Sequence, residues 1–201
     1  MNKRQFESSF VLSPLAARPL SETLSQSAAA KAIDAQKDKL VPAAVLIPMV
    51  ERHNKLFVIL TQRAAHLKHH PGQVSFPGGR FEHADDTLIN TALRETHEEV
   101  GIKPGEVQII GQLQTYQTIS QYVVTPFVGF VNADYQLILD KNEVDDAFEV
   151  PWAFFLNRDN HHQMSFKRLG QQRNVHFMPF ENRFIWGTTA AMLHDLVSHF
   201  E

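Results

Sequence analysis

Three glutamates stand close together near the middle of the chain, at positions 95, 98 and 99. On a helix with about 100° between successive residues, Glu95, Glu98 and Glu99 fall on one face. Like charges at i and i+4 destabilise a helix by roughly 0.2–0.5 kcal/mol, so folding alone gives no reason to build this face. Divalent cations such as Mg²⁺ and Mn²⁺ prefer carboxylate and carbonyl oxygens as ligands. The sequence therefore predicts a divalent-metal site formed by the three glutamates.

An ordinary solvated helix face, with Arg94 paired to Glu98, is the alternative explanation of the same residues. The residues on either side of the glutamates argue against it. Upstream, the run Phe76–Gly79 ends in two glycines, which expose backbone and allow a ligand or an ion to approach closely. Downstream, Gly101 stands where a helix commonly ends in a left-handed residue. We therefore expect Gly78 and Gly79 to contribute to the binding of a substrate.

The elements that must position these residues follow a mixed order of strands and helices, without the regular alternation of a doubly wound sheet. The acidic helix is predicted from about Asp86 to Val100, with Asp85 or Asp86 as its N-cap. The patterns elsewhere predict a first hairpin at Ala43–Val50 with Leu56–Leu60, single strands at Val107–Gln114 and Val123–Val131, and a short apolar helix or turn at Val150–Leu156. They also predict a second hairpin at Met164–Leu169 with Asn174–Pro179 and a closing helix at Thr188–Phe200.

Composition separates the two ends of the chain. Residues 1–40 are predicted to be an N-terminal extension with one short helix around Ala28–Ala35, and residues 41–201 to be a single domain. The net charge of −3 gives no basic footprint for nucleic acid, and no apolar run approaches the roughly 20 residues of a membrane helix. Because the chain has no cysteine, zinc–thiolate sites and cysteine nucleophiles are excluded. We expect a cytoplasmic protein with no nucleic-acid or membrane partner.

The run Arg94–Ile102, behind the two glycines, resembles the signature of the Nudix hydrolases. That signature reads Gly-x5-Glu-x7-Arg-Glu-apolar-x-Glu-Glu-x-Gly-apolar, and its second half is matched at every fixed charged or glycine position. Thr96 occupies the apolar position. The first half departs, because Gly79 and Arg94 are separated by one residue more than the pattern has, and Asp85 stands where the first Glu belongs. The resemblance implies an α+β Nudix fold, with a mixed β-sheet sandwiched between helices.

The segment Ile59–Gly79 is similar to a second motif, Leu-Leu-Thr-x-Arg-Ser/Ala-x3-Arg-x3-Gly-x3-Phe-Pro-Gly-Gly, which marks the coenzyme A pyrophosphatases among the Nudix hydrolases. The departures are Ile59 for Leu and Lys68 for Arg. The resemblance implies a Mg²⁺- or Mn²⁺-dependent pyrophosphohydrolase that cleaves coenzyme A and its derivatives to 3′,5′-ADP and 4′-phosphopantetheine. Arg63 and Lys68 are the cations that we expect to bind this anionic substrate, although both also fit an ordinary solvated loop.

The family also implies roles for the acidic residues and their neighbour. Glu95 and Glu99 are expected to be the principal metal ligands, and Glu98 is expected to share a second ion. Arg94 is expected to orient a glutamate rather than to touch the substrate. A general base must lie within reach of the attacking water. We expect one of the helix glutamates or an acid of the segment 143–146 to fill that role, with Glu143 as the candidate, although Glu143 also fits an ordinary surface loop.

Other functions fit the same residues. The chain could hydrolyse other nucleoside diphosphate derivatives, such as ADP-ribose or NADH, since Lys68 replaces the arginine of the motif. It could instead be a Nudix domain that binds a ligand without catalysis, although all three glutamates are present. A plain structural α/β domain would require the signature to be a coincidence. The expected partner is a small nucleotide substrate, with a homodimer as one option.

Overall fold

The computed structural model describes residues 1–12, 40–118, 120–168 and 171–200. The predicted helix around Ala28–Ala35 lies outside these residues. The helices are α1 Lys3–Leu12, α2 Leu88–Val100, α3 Trp152–Leu156 and α4 Thr188–Val197. The strands are β1 Val41–Arg52, β2 Lys55–Arg63, β3 Val74–Ser75, β4 Gly78–Arg80, β5 Val107–Gln112, β6 Tyr116–Gln117, β7 Tyr122–Val131, β8 Val144–Pro151, β9 His162–Arg168, β10 Gln171–Phe180 and β11 Arg183–Trp186.

The large sheet is mixed, and β1 lies at its centre. β1 runs parallel to β7 and antiparallel to β2, and the main path of the sheet is β3–β2–β1–β7–β5. Three further strands attach to this path, with β4 on β1, β6 on β7 and β8 on β2. The smaller sheet is antiparallel, in the order β11–β10–β9. Both predicted hairpins are therefore confirmed.

Strand β1 is buried on both of its faces. Ala44 and Leu46 pack in one cluster with Ala92 of α2, whereas Ile47 and Met49 pack in the main core on the opposite face. Alternate residues of a strand point to opposite faces, so a strand covered on both sides reads as a continuous apolar run. The arrangement confirms the predicted fold, in which helices cover both faces of a mixed sheet.

The N-terminal helix α1 belongs to this packing. Phe6 and Phe10 are fully buried in the main core, and the ring of Phe6 contacts the rings of Phe130 and Trp152. Full burial of a phenylalanine contributes about 1.5–3 kcal/mol. The domain boundary between residues 40 and 41 stays a prediction, but the first part of the predicted extension supplies two core side chains.

Three local features differ from the sequence-based expectation. The N-cap of α2 is Thr87, because its side chain accepts a hydrogen bond from the Asn90 amide at 3.2 Å. The segment after Glu143, for which no strand was predicted, forms strand β8, which pairs with β2. A third strand, β11, extends the second hairpin.

None of the helices in the described part of the chain is long and apolar enough to cross a membrane.

Candidate active site

Helix α2 positions the three glutamates. It begins after Thr87 and ends at Gly101, whose φ is +80° and whose amide donates to the His97 carbonyl at 2.9 Å. Because glycine has no Cβ, it adopts this left-handed conformation without strain. The buried face of the helix includes Ala92 and Val100, which fix its rotation against the sheet. The acidic residues therefore lie at the margin between the packed face and solvent.

The three glutamates lie in three different environments. The Glu99 side chain is 4% exposed, that of Glu95 is 15% exposed, and that of Glu98 is 56% exposed. The helical pattern placed them on one face but could not rank their burial, which depends on the neighbouring loop. Glu95 and Glu99 thus form the inner part of the acidic face, and Glu98 forms its outer edge.

Glu99 is a buried carboxylate without full compensation. Its Oε2 atom is inaccessible to solvent and has no hydrogen-bond partner among the described residues. Burial, together with the negative charges of Glu95 and Glu143, raises the pKa of Glu99 to about 8, although Arg63 and a backbone hydrogen bond from Gly78 oppose the rise. A buried carboxylate of this kind is stable as an anion only if a cation approaches it.

Glu95 lies against the glycine loop. A Cβ on Gly79 would overlap the Glu95 carboxylate, so only a glycine allows this approach. Burial raises the pKa of Glu95, whereas the charge and the hydrogen bond of Arg94 lower it. The predicted pair of glycines therefore lies directly beside both inner glutamates, with Gly79 at Glu95 and the Gly78 backbone at Glu99.

Arg94 links the start of the helix to its glutamates. Its Nη1 donates to Glu95 Oε1 and to Glu98 Oε2, each at 2.9 Å. Its Nε donates to Asp85 Oδ1 at 2.7 Å, and its Nη2 donates to Asp85 Oδ2 at 3.1 Å. The fork of a guanidinium suits such a bidentate contact with a carboxylate. This geometry is the one that an orienting role requires, and the role itself stays a prediction.

Asp85 takes the place of the first acidic residue of the signature, although the spacing is longer. It is buried, and its Oδ2 accepts hydrogen bonds from Thr91 Oγ1 at 2.8 Å and from the Glu82 amide at 2.9 Å. The hydrogen bond from Arg94 lowers its pKa to about 2. The next residue, Asp86, has a φ of +59° and precedes the N-cap. The shorter side chain thus reaches Arg94 through a local turn that the sequence did not reveal.

Glu143 and Arg63 are brought to the same place by β2 and β8. The Glu143 carbonyl accepts a hydrogen bond from the Ala64 amide at 2.8 Å, which holds the two segments together. The charge of Glu143 raises the pKa of both Glu95 and Glu99. The Arg63 Nη1 atom lies 3.9 Å from Glu99 Oε1. Both predicted residues therefore lie close enough to act electrostatically on the inner glutamates.

Lys68 lies in the loop that follows β2. Residues 64–72 form a loop closed at its neck by two main-chain hydrogen bonds, from the Arg63 amide to the Gln73 carbonyl and from the Gly72 amide to the Arg63 carbonyl. The loop is also fixed by Asp145, which accepts from the Ala65 amide at 2.9 Å. Lys68 is exposed in the outer part of this loop. Of the two predicted substrate-binding cations, Arg63 pairs with Glu99 and Lys68 is exposed to solvent.

The acidic face is suited to a hard cation but is not already gathered around one. Within the described ranges, no group of three or more His, Asp or Glu side chains has the arrangement of a metal site. Arg94 holds the Glu95 and Glu98 carboxylates in ion pairs. The donors nevertheless fit Mg²⁺ or Mn²⁺, because all are carboxylate oxygens and Glu99 has a buried oxygen without a partner.

Comparisons with known proteins assign the chain to a family. The model of the NUDIX domain matches residues 39–168, which is more than half of the chain. The chain is 40% identical over 154 residues to a protein of Enterobacter sp. (strain 638) described as "Uncharacterized Nudix hydrolase NudL", and the match covers 77% of this chain and 80% of that protein. A protein of Escherichia fergusonii with the same description matches at the same identity and coverage.

A solved structure supports the fold. The crystal structure of a MutT/nudix family protein from Enterococcus faecalis is similar with a TM-score of 0.52, and the match covers 99% of this chain and 72% of that one. At 16% sequence identity, this likeness concerns the fold alone. The family model and the relatives show that the similarity also holds for the amino-acid sequence. The chain belongs to the Nudix family of hydrolases.

Proposed function

We propose that this protein is a Mg²⁺- or Mn²⁺-dependent pyrophosphohydrolase that cleaves the diphosphate of coenzyme A and its derivatives. The proposal depends above all on Glu99, a buried carboxylate with a free oxygen that faces a glycine loop and one arginine. Such a group suits a site in which a cation and an anionic substrate meet. The segment Ile59–Gly79 is similar to the coenzyme A pyrophosphatase motif and therefore indicates coenzyme A as the substrate.

The metal ligands in this proposal are the three glutamates. Glu99 and Glu95 are the principal ligands because they are the inner pair, and the exposed Glu98 shares a second ion after leaving Arg94. A bound divalent cation would neutralise charge on the phosphoryl oxygens and would make bound water more acidic. Arg94 stays on Asp85 and keeps the first turns of the helix in place.

The other residues act on the substrate and on the attacking water. Arg63 binds the oxygens of the diphosphate, and the backbone of Gly78 and Gly79 allows that group to approach the helix. The water oxygen bonds to one phosphorus while the bridging P–O bond breaks, so that each product carries a phosphate monoester. Glu143 or one of the helix glutamates takes the proton of the water. The products from coenzyme A are 3′,5′-ADP and 4′-phosphopantetheine.

The alternative substrates are other nucleoside diphosphate derivatives, such as ADP-ribose or NADH. Lys68 is the residue that leaves this alternative open, because it offers a point charge where the motif has the planar fork of an arginine. Coenzyme A carries a 3′-phosphate in addition to its diphosphate, so its preference over these compounds needs more cationic contacts. A domain that only binds such ligands is the remaining alternative.

Product analysis decides among these functions. The purified protein is incubated with coenzyme A, dephospho-coenzyme A, ADP-ribose and NADH, each with Mg²⁺ or Mn²⁺, and the products are separated by chromatography. We expect 3′,5′-ADP and 4′-phosphopantetheine from coenzyme A at the highest kcat/KM. A higher kcat/KM with dephospho-coenzyme A or ADP-ribose would identify that compound as the substrate instead of coenzyme A. No turnover of any compound would leave only a binding function. Glu99→Gln serves as the inactive control.

The homodimer and the cytoplasmic location stay predictions. Sedimentation velocity at micromolar concentration tests the first, because a dimer and a monomer of a 22.9 kDa chain separate clearly. Fractionation of the cells that produce the protein tests the second. Neither result changes the residues of the proposed site.

A further inference from the structure

We propose that the Arg63 side chain alternates between two partners, Glu99 and the substrate. In the metal-free protein it is the internal counter-ion of Glu99, and when Glu99 holds a divalent cation the Arg63 side chain turns to the phosphate groups of the substrate. This inference rests on the proposed metal site. It adds a coupling between metal binding and substrate binding, because the Arg63 side chain leaves Glu99 when the metal binds and then contacts the phosphates of the substrate.

The ion pair between Arg63 and Glu99 is a loose one. The closest atoms, Arg63 Nη1 and Glu99 Oε1, are 3.9 Å apart, which is beyond the range of a hydrogen bond. The Glu99 side chain is 4% exposed, whereas that of Arg63 is 27% exposed. The arginine therefore compensates the buried charge from the solvent side of the site. A contact of this length partly compensates the charge of Glu99 and leaves the Arg63 side chain able to move.

The backbone of Arg63 is fixed although its side chain is not. Arg63 is the last residue of β2, and the register with β8 shifts between Gln62 and Arg63. Such irregularities next to active sites commonly redirect a side chain. Both main-chain polar groups of Arg63 are bonded across the loop neck, the amide to Gln73 at 3.0 Å and the carbonyl to Gly72 at 3.1 Å. Only the side chain is left to move between two partners.

The surrounding charges favour this exchange. Glu99 faces the negative charges of Glu95 and Glu143 as well as the positive charge of Arg63. The neighbouring Arg94 is engaged by Asp85, Glu95 and Glu98. A divalent cation beside Glu99 would cancel two of the three negative charges of Glu95, Glu99 and Glu143, so that the attraction between Arg63 and Glu99 weakens and an anionic phosphate becomes the better partner of Arg63. The same side chain can thus serve Glu99 before binding and the diphosphate afterwards.

The first test measures the metal-free pair. Thermal unfolding is followed in EDTA at pH 8.5 for the wild type, Arg63→Gln, Glu99→Gln and the double variant. We expect Arg63→Gln to lower the Tm of the wild type, because Glu99 loses its counter-ion, and to leave the Tm of Glu99→Gln unchanged. An equal loss of Tm in both backgrounds would show that Arg63 acts on something other than Glu99 and would overturn the proposal.

The second test measures metal affinity directly. Free Mn²⁺ is titrated by electron paramagnetic resonance without substrate, so turnover plays no part. Arg63→Gln should bind Mn²⁺ roughly three- to tenfold more tightly than the wild type, because a competing cation has been removed. Arg80→Gln is the matched control, since the Arg80 side chain is 68% exposed and pairs only distantly with Glu82, at 4.0 Å. Its affinity should stay within about twofold of the wild type.

The outcomes separate this inference from the proposed function. Unchanged or weaker Mn²⁺ binding by Arg63→Gln overturns the two-partner role while leaving the hydrolase intact. Absence of Mn²⁺ binding by the wild type overturns both. If circular dichroism shows that Arg63→Gln is unfolded, Arg63→Lys replaces it in the Mn²⁺ titration and in the kinetics. The lysine should keep Mn²⁺ affinity within about twofold and raise KM for the diphosphate substrate about tenfold, since it lacks the planar fork. An unchanged KM would contradict the proposal.

Discussion

Arg94 and Asp85 form a two-point ion pair across the start of the acidic helix, with Arg94 Nε 2.7 Å from Asp85 Oδ1 and Arg94 Nη2 3.1 Å from Asp85 Oδ2. The remaining nitrogen of the guanidinium reaches Glu95 and Glu98. The aspartate is therefore tied to the glutamates although it is ten residues before the first of them. Its place in the structure explains how the longer spacing of the signature is tolerated.

Asp85→Asn should destabilise the protein by about 2 kcal/mol at pH 7. The estimate follows from the pKa of Asp85, which is lowered from 3.8 to about 2, and from 1.36 kcal/mol per pKa unit. Because the folded-state pKa is the lower one, this stability is present above pH 3.8 and is lost as the pH falls towards 2. Urea unfolding across this range measures it. Asp86→Asn, at the exposed neighbouring position, should change little.

Glu99→Gln should abolish hydrolysis and stabilise the metal-free protein at alkaline pH. The pKa of Glu99 is raised to about 8, so the carboxyl group destabilises the fold progressively as the pH rises from 4.5 through 8. The variant should gain up to about 5 kcal/mol at pH 9 and nothing below pH 4.5. Denaturant unfolding in EDTA checks this, and the exposed Glu98→Gln should differ from the wild type by only about 0.5 kcal/mol. Equal gains from both variants would contradict the burial argument.

Gly79→Ala should reduce kcat strongly while the protein still folds. The new Cβ would overlap the Glu95 carboxylate, so that this side chain must leave its position. A displacement of about 1 Å in a catalytic group reduces the rate roughly 100-fold. Gly105→Ala is the control, because nothing lies within 4 Å of a Cβ there. Steady-state kinetics with circular dichroism as the folding check would distinguish a lost site from a lost fold.

Lys68→Ala should weaken the preference for coenzyme A over dephospho-coenzyme A. Lys68 is exposed in the loop of residues 64–72, so its charge is available to a phosphate of the substrate that is not being cleaved. Loss of one such contact should reduce kcat/KM for coenzyme A roughly tenfold and leave dephospho-coenzyme A nearly unaffected. Lys103→Ala, an exposed lysine after the helix, is the control. An equal loss of kcat/KM for both substrates would show that Lys68 binds the diphosphate that both compounds contain.

Phe6→Ala should destabilise the protein by about 3–5 kcal/mol. The side chain is fully buried against Phe130, Trp152 and Phe200, and removal of a core phenylalanine leaves a cavity. Arg4→Ala, an exposed change on the same helix, should have an effect of about 0.5 kcal/mol or less. Unfolding curves for the two variants decide whether α1 is part of the cooperative unit, which the composition of residues 1–40 did not predict.

The sequence predicted those elements whose patterns are local. The acidic helix, its end at Gly101 and the hairpin before it follow from residues that interact within a few positions of one another. Strand β8 was missed because Asp145, Asp146 and Glu149 interrupt its apolar pattern, and pairing with β2 determines its conformation. The packing of Phe6 was missed for the same reason, since its neighbours lie far along the chain.

By itself, the sequence determined the Nudix family and the acidic residues on one helix, because these depend on residue type and spacing. The tertiary structure alone decided how the charges are distributed. It buries Glu99, exposes Glu98, brings Arg63 and Glu143 close to the inner glutamates and leaves Lys68 exposed. Burial and electrostatic neighbours are set by contacts between distant segments, and the free energy of a carboxylate depends on both. Three equal glutamates in the sequence are therefore three different groups in the folded protein.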